Sequence, residues 1–112
     1  MHRIMFFVTA RGENLVLEFL KKLDKGLQAK VDGRIRYLEE YGDKAKRPQA
    51  SPLRDKIYEL RVNYMRLELR ILYFFDKEII MMTHAFFKKT DAVPAAEIEK
   101  AVAMREEYFR TK

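Results

Sequence analysis

Three strand-like runs follow one another between residues 57 and 87, and no other stretch limits the possible folds so strongly. From Ile57 to Val62 the chain alternates, with Tyr58, Leu60 and Val62 on one face and Ile57, Glu59 and Arg61 on the other. From Met65 to Phe75 it alternates for longer, placing Met65, Leu67, Leu69, Ile71, Tyr73 and Phe75 inward. The opposite face of this second run starts polar, with Arg66, Glu68 and Arg70, and turns apolar at Leu72 and Phe74. A tight polar turn at Asp76-Lys77-Glu78 leads into Ile79–Phe87, which is almost continuously apolar. A run of that kind suits a strand covered on both faces. Joined by short turns, the three runs predict an antiparallel meander.

The flanking sequence supplies helices. After an apolar start at residues 3–8, read as a first strand, Leu15, Val16, Phe19, Leu20, Leu23 and Leu27 recur at helical spacing. Gly26 interrupts the pattern and marks the expected corner between two helices. The second is expected from about Leu27 to Tyr41, with Val31, Ile35, Leu38 and Tyr41 inward, Lys30, Arg34, Glu39 and Glu40 outward, and Gly42 as its C-cap. Pro94 opens a last helix, in which Ile98, Ala101, Val102, Arg105, Tyr108 and Phe109 recur every three or four residues. The expected fold is a single α+β domain over residues 1–112, ordered β-α-α-β-β-β-α. Its mostly antiparallel four-stranded sheet packs against a helical hairpin and a C-terminal helix.

Several classes of function are excluded by what the chain lacks. It contains no cysteine, so disulfide frameworks and thiolate chemistry are ruled out. The chain has only four glycines and no glycine-rich phosphate loop. Its only histidines are His2 and His84, which argues against a histidine-based metal site or a paired-histidine nuclease. Ser51, the single serine, lies beside Pro52 with no histidine near it in sequence, so a serine hydrolase is not expected. No apolar run approaches the roughly 20 residues that cross a bilayer, and the apolar start is too short for a signal peptide. A cytoplasmic location is the expectation.

The charge points towards polyanions. Lys and Arg number 23 against 17 Asp and Glu, a net charge of +6. Residues 1–56 hold most of that excess, with 13 basic and 8 acidic residues. Much of it lies in a basic loop over residues 43–56, which includes Lys46, Arg47 and Arg54 as candidate RNA contacts. In the later half, individual cations carry the interest. If residues whose numbers sum to 129 pair across the first hairpin, Arg61 opposes Glu68 and Glu59 opposes Arg70. That arrangement makes two solvated cross-strand ion pairs. Alternatively, two arginines on one open sheet face can hold a phosphate, because each guanidinium donates parallel hydrogen bonds. Lys88 and Lys89 fall where the last strand ends, as a solvated pair or as further phosphate ligands. His84, four residues earlier, takes one face or the other depending on the length of the preceding turn, and a three-residue turn places it across from Arg70. Tyr64, expected in the hairpin turn, is the best candidate to stack on a base.

The stretches Ile57-Tyr58-Glu59-Leu60-Arg61, Arg70-Ile71-Leu72-Tyr73-Phe74 and His84-Ala85-Phe86-Phe87-Lys88-Lys89-Thr90, followed by Pro94, Glu97-Ile98, Ala101 and Arg105, carry a family likeness. In order and spacing the chain resembles the phage-derived HigB-like branch of the RelE/ParE toxin superfamily. The resemblance implies the toxin of a type II toxin–antitoxin pair, a ribosome-dependent mRNA endoribonuclease in which the RNA's own 2′-OH attacks the adjacent phosphate without metal or cofactor. It also implies a HigA-type helix-turn-helix antitoxin as partner, and translated mRNA as substrate. Arg61, Arg70, Lys88 and Lys89 match the family's active-site cations. The general base stays open between Lys88 or Lys89, His84 and a ribosomal group. Two other functions remain open at this point: a ParE-like toxin that binds gyrase without cleaving RNA, and a basic RNA- or ribosome-binding domain of phage origin.

Overall fold

The computed structural model describes residues 2–112. Five strands form one mixed sheet: β1 (Arg3–Phe6), β2 (Ala50–Pro52), β3 (Tyr58–Tyr64), β4 (Leu67–Asp76) and β5 (Ile79–Phe87). Their spatial order is β1-β5-β4-β3-β2. The helices are α1 (Leu15–Lys21), α2 (Lys25–Tyr41) and α3 (Ala95–Thr111). The meander of β3, β4 and β5 is antiparallel, as its two-residue alternation requires. The expected four-stranded sheet gains a fifth member because three residues of the basic loop pair with β3, Ala50 opposite Leu60 and Pro52 opposite Tyr58. So short an edge strand, ending on a proline that lacks an N–H, leaves little periodicity to read. β1 lies on the other edge, parallel to β5, with Arg3 opposite Ile79 and Phe6 opposite Met82.

The alternation of β3 and β4 divides the core in two. On one face Leu60, Val62, Leu69, Ile71 and Tyr73 pack with Val16, Leu27, Val31 and Leu38 of α1 and α2. On the other, Ile57, Leu72, Phe74 and Met81 meet Ile98 and Ala101 of α3. β5 feeds both layers, which explains its unbroken apolar character. Burying a Leu or Phe in such a layer is worth about 1.5–3 kcal/mol. The inward assignment fails at the hairpin tip, where Met65 is 88% exposed and Leu67 is 42% exposed.

Capping sets the helix boundaries. Asn14 accepts from Leu17 N–H at 3.0 Å and Asp24 from Leu27 N–H at 2.8 Å. Asp24 therefore starts α2 two residues before the expected corner, and Gly26 falls inside its first turn. Glycine leaves room there for the Tyr64 hydroxyl, which a Cβ would push aside. Gly42 does end α2, with φ +51° and its N–H donating to Leu38 C=O. Tyr41, expected inward, is exposed and packs on Tyr37 instead.

The register between β3 and β4 differs from the expected one by two residues. Tyr58 pairs with Tyr73, Arg61 with Arg70 and Tyr64 with Leu67, leaving Met65-Arg66 as the turn. The two arginines therefore stand directly opposite each other. Like charges in that position repel, so they need anions beside them. Tyr64 belongs to β3 and is half-buried against the core, which removes it as an exposed stacking platform. Between β4 and β5 the turn is the two residues Lys77-Glu78, and the register shifts by one between Leu72 and Tyr73. The extra residue, Thr83, turns His84 onto the α3 face opposite Leu72, while Arg70 pairs with Phe86.

Candidate functional site

The α3 face of the sheet is only partly covered. Beyond Leu72, towards the β3–β4 turn, its charged side chains are Glu59, Arg61, Glu68, Arg70 and, just after β5, Lys88. They form a chain of alternating charge across three strands. Arg61 Nη1 lies 3.1 Å from Glu59 Oε2. Arg70 Nε lies 3.1 Å from Glu59 Oε1, an ion pair whose N–H is not aligned for a hydrogen bond. Arg70 Nη2 lies 3.3 Å from Glu68 Oε1, and Lys88 Nζ reaches the same oxygen at 3.4 Å. The sequence is thus Arg61, Glu59, Arg70, Glu68, Lys88, with one positive charge in excess.

Position in this chain decides what each cation can do. Arg70, expected on an open face, is fully buried. Its Nη1 donates to Asn63 Oδ1 at 3.1 Å and to Leu69 C=O at 3.0 Å. Burial, and then the like charge of Arg61, pull its pKa below the ordinary arginine value, while Glu59 and Glu68 push it back. An arginine held this way keeps its charge. Closed off from solvent, it acts by orienting the two carboxylates that hold the outer cations. Glu59, 2% exposed, is the matching anion, and it also accepts from Ser51 Oγ at 2.5 Å.

The outer cations are partly exposed, Arg61 more than Lys88. Arg61 keeps 20% of its side chain exposed, while its Nε is itself buried and has no hydrogen-bond partner among the described residues. Arg34 of α2 steadies its backbone by donating to Arg61 C=O at 2.6 Å, and Lys30 does the same at Asn63 C=O. Lys88 continues the β4–β5 ladder, its N–H donating to Glu68 C=O at 2.7 Å. Its ammonium donates to Thr90 C=O at 2.9 Å and Asp91 C=O at 3.1 Å, which fixes the turn that follows. Arg61, Lys88 and Arg47 line one pocket of about 190 Å³ with Glu59, Asp91, Leu53, Ala92 and Val93. A larger groove of about 270 Å³, formed by Phe6, Leu17, Leu20, Lys21, Gln28, Val31, Asp32 and Ile35, is mainly apolar and holds no comparable cation set.

The remaining expected site residues lie apart. Lys89 and Lys46 are exposed and outside the pocket. Arg54 is turned towards Asp55 and Glu99 of α3, at 2.6 and 3.8 Å. His84 is buried, its Nε2 2.9 Å from Glu97 Oε1 and its Nδ1 3.1 Å from Thr83 Oγ1. Burial lowers its pKa, the hydrogen bond that it donates to Glu97 opposes that, and the positive charge of Lys100 adds to the lowering. His84 thus fastens β5 to the first turn of α3. The residues that sequence reasoning did not place in the site are Glu59 and Glu68 as anchors, Ser51, and Arg34. Charged residues inside otherwise regular strands were the available signal for the first two. A basic residue on the outer face of a helix gave none for Arg34.

Fold and site together define a small basic α+β domain with an anion-facing cation set at one end of its sheet. A family model described as Phage derived protein Gp49-like (DUF891) matches residues 18–106. The chain belongs to this phage-derived family, which lies in the RelE-like group of toxin–antitoxin families. A search of curated proteins gave no match. No helix among the described residues is long and apolar enough to cross a membrane.

Proposed function

We propose that the chain is the toxin of a HigB-like type II toxin–antitoxin pair and cleaves mRNA on the ribosome. The observation that carries this reading is the charge chain across β3, β4 and β5, whose outer members, Arg61 and Lys88, line one pocket with Arg47. Cleavage by the RNA's own 2′-OH forms an O2′–P bond and breaks the P–O5′ bond, leaving a cyclic phosphate and a 5′-hydroxyl. The negative charge that builds on the phosphate is what fixed guanidinium and ammonium groups stabilise, and holding the phosphate in line removes much of the entropic barrier. Arg61 supplies a partly exposed guanidinium, Lys88 an ammonium, and Arg70 the positive potential behind them. Lys46, Arg54 and Lys89 add diffuse attraction for the backbone. No metal or cofactor enters this scheme, and the partner is a HigA-type helix-turn-helix antitoxin.

One observation favours a second reading, a basic RNA- or ribosome-binding domain without cleavage. The histidine best suited to accept the 2′-OH proton, His84, is buried and tied at both ring nitrogens. On the nuclease reading the ribosome provides the base. Primer extension on an mRNA in a reconstituted translation reaction separates the two. Cuts that need both the chain and a translating ribosome support the nuclease. Stalling without new 5′ ends supports the binding domain.

A further inference from the structure

The ammonium of Lys88 has three N–H donors, and two are engaged by the backbone carbonyls of Thr90 and Asp91. Among the described residues, Glu68 Oε1 is the only anionic oxygen within 4 Å of it, at 3.4 Å. The same oxygen accepts from Arg70 Nη2 at 3.3 Å. A single carboxylate oxygen is therefore shared by a buried guanidinium and a nearly buried ammonium, the arrangement that a phosphate oxygen takes between two cations. The two carboxylates of the charge chain differ sharply in how firmly they are held. The Glu59 side chain is 3% exposed and bound by Ser51, Arg61 and Arg70, whereas the Glu68 side chain is 45% exposed and, among the described residues, pairs only with Arg70 and Lys88. Solvent screening makes the second contact weak and easy to exchange.

We propose that Arg70 and Lys88 form an anion site for a phosphodiester phosphate, closed in the free protein by the Glu68 carboxylate, which an incoming phosphate displaces. Glu68 swings into solvent, and its departure uncovers Arg70 Nη2, which is otherwise fully buried. Arg70 then changes from a positioning residue into a phosphate ligand once substrate is bound. That the phosphate belongs to RNA rests on the function proposed above; the site itself does not.

The test measures binding of inorganic phosphate and of a short fluorescein-labelled single-stranded RNA to the wild type, Glu68→Gln, Glu59→Gln and Glu78→Gln. Glu78 lies in the turn at the opposite end of β4, is exposed, and its replacement makes the same change in net charge. Glu68→Gln keeps the wild-type melting temperature within a few degrees and binds phosphate about three- to tenfold more tightly. Glu78→Gln binds as the wild type does, and Glu59→Gln binds no more tightly. Adding Arg70→Met to Glu68→Gln abolishes the gain. Equal tightening in Glu68→Gln and Glu78→Gln, or none in Glu68→Gln, overturns the proposal. If Glu68→Gln tightens phosphate while no variant binds RNA, the site stands and the RNA reading fails.

Discussion

One face of β4 carries two different solutions to the same problem. Leu72 and Phe74 are buried beneath α3, and Phe74 packs on Tyr108 and Phe109 at 5.5 and 5.8 Å. Arg70 and Glu68, the next two residues on that face, lie beyond the helix, and Arg70 is nonetheless as completely buried as Phe74. The covered half is stabilised by apolar contact, which tolerates any residue of similar shape. The open half is stabilised by ion pairs that balance their own desolvation only while every partner is present. A region built the second way is an inefficient means of stability. It becomes intelligible as a means of holding charged groups in fixed positions at the surface.

The largest effects should fall equally on both halves, and their rescue should separate them. Phe74→Ala and Arg70→Ala are each expected to cost about 3–5 kcal/mol, the first by leaving a cavity and the second by leaving Glu59 as a buried unpaired charge. Urea unfolding of Arg70→Met should improve clearly when Glu59→Gln is added, since the orphaned charge is then gone. If the double variant is no better, the ion-pair account of the open half is wrong. Arg61→Ala should cost less stability than Arg70→Ala, because Glu59 retains Arg70 and Ser51, yet weaken RNA binding about tenfold or more. Phe74→Leu, in the covered half, should leave affinity untouched.

A smaller effect concerns the seam between the halves. His84 has a folded pKa below its unfolded value, so the unfolded chain binds the extra proton first as pH falls. The contribution to stability is present above the unfolded histidine pKa of about 6.5 and is lost as pH drops towards the folded value, at no more than about 1.4 kcal/mol per pH unit. Denaturation midpoints between about pH 7.5 and 5 should fall for the wild type and fall less for His84→Gln. Identical profiles would mean that another group controls the acid response. Smallest of all, Lys46→Ala, Arg54→Ala and Lys89→Ala should each flatten the salt dependence of RNA binding by at most about one unit of slope, with stability unchanged.

The facing of the strands was legible in the sequence because a period of two survives any choice of partner. Leu60, Val62, Leu69 and Ile71 fall on one side and Ile57, Leu72 and Phe74 on the other, as the alternation requires. Register was not legible. Pairing Arg61 with Glu68 and Glu59 with Arg70 satisfies charge directly across the hairpin, but the observed register satisfies it diagonally and along the strand, and local patterning cannot distinguish these. The turn gave no help, since Met65 adopts φ +55° where glycine or asparagine is the usual signal. The extra residue at Thr83 that reorients His84 is equally silent, as is the parallel pairing of β1 with a strand more than seventy residues away. At the site, Arg61, Lys88 and Arg47 stand out in the sequence as cations, and they share one pocket. The burial of Arg70, which changes its role, depends on packing around Glu59 and had no local trace.

The central claim is that the open half of the sheet handles RNA through Arg61 and Lys88. Mapping transcript 5′ ends in cells that express the wild type, Arg61→Ala or Phe74→Leu tests it most directly. New ends within translated frames for the wild type and Phe74→Leu, and none for an equally abundant Arg61→Ala, is the predicted result. The same ends in Arg61→Ala, or none in any of the three, would contradict it.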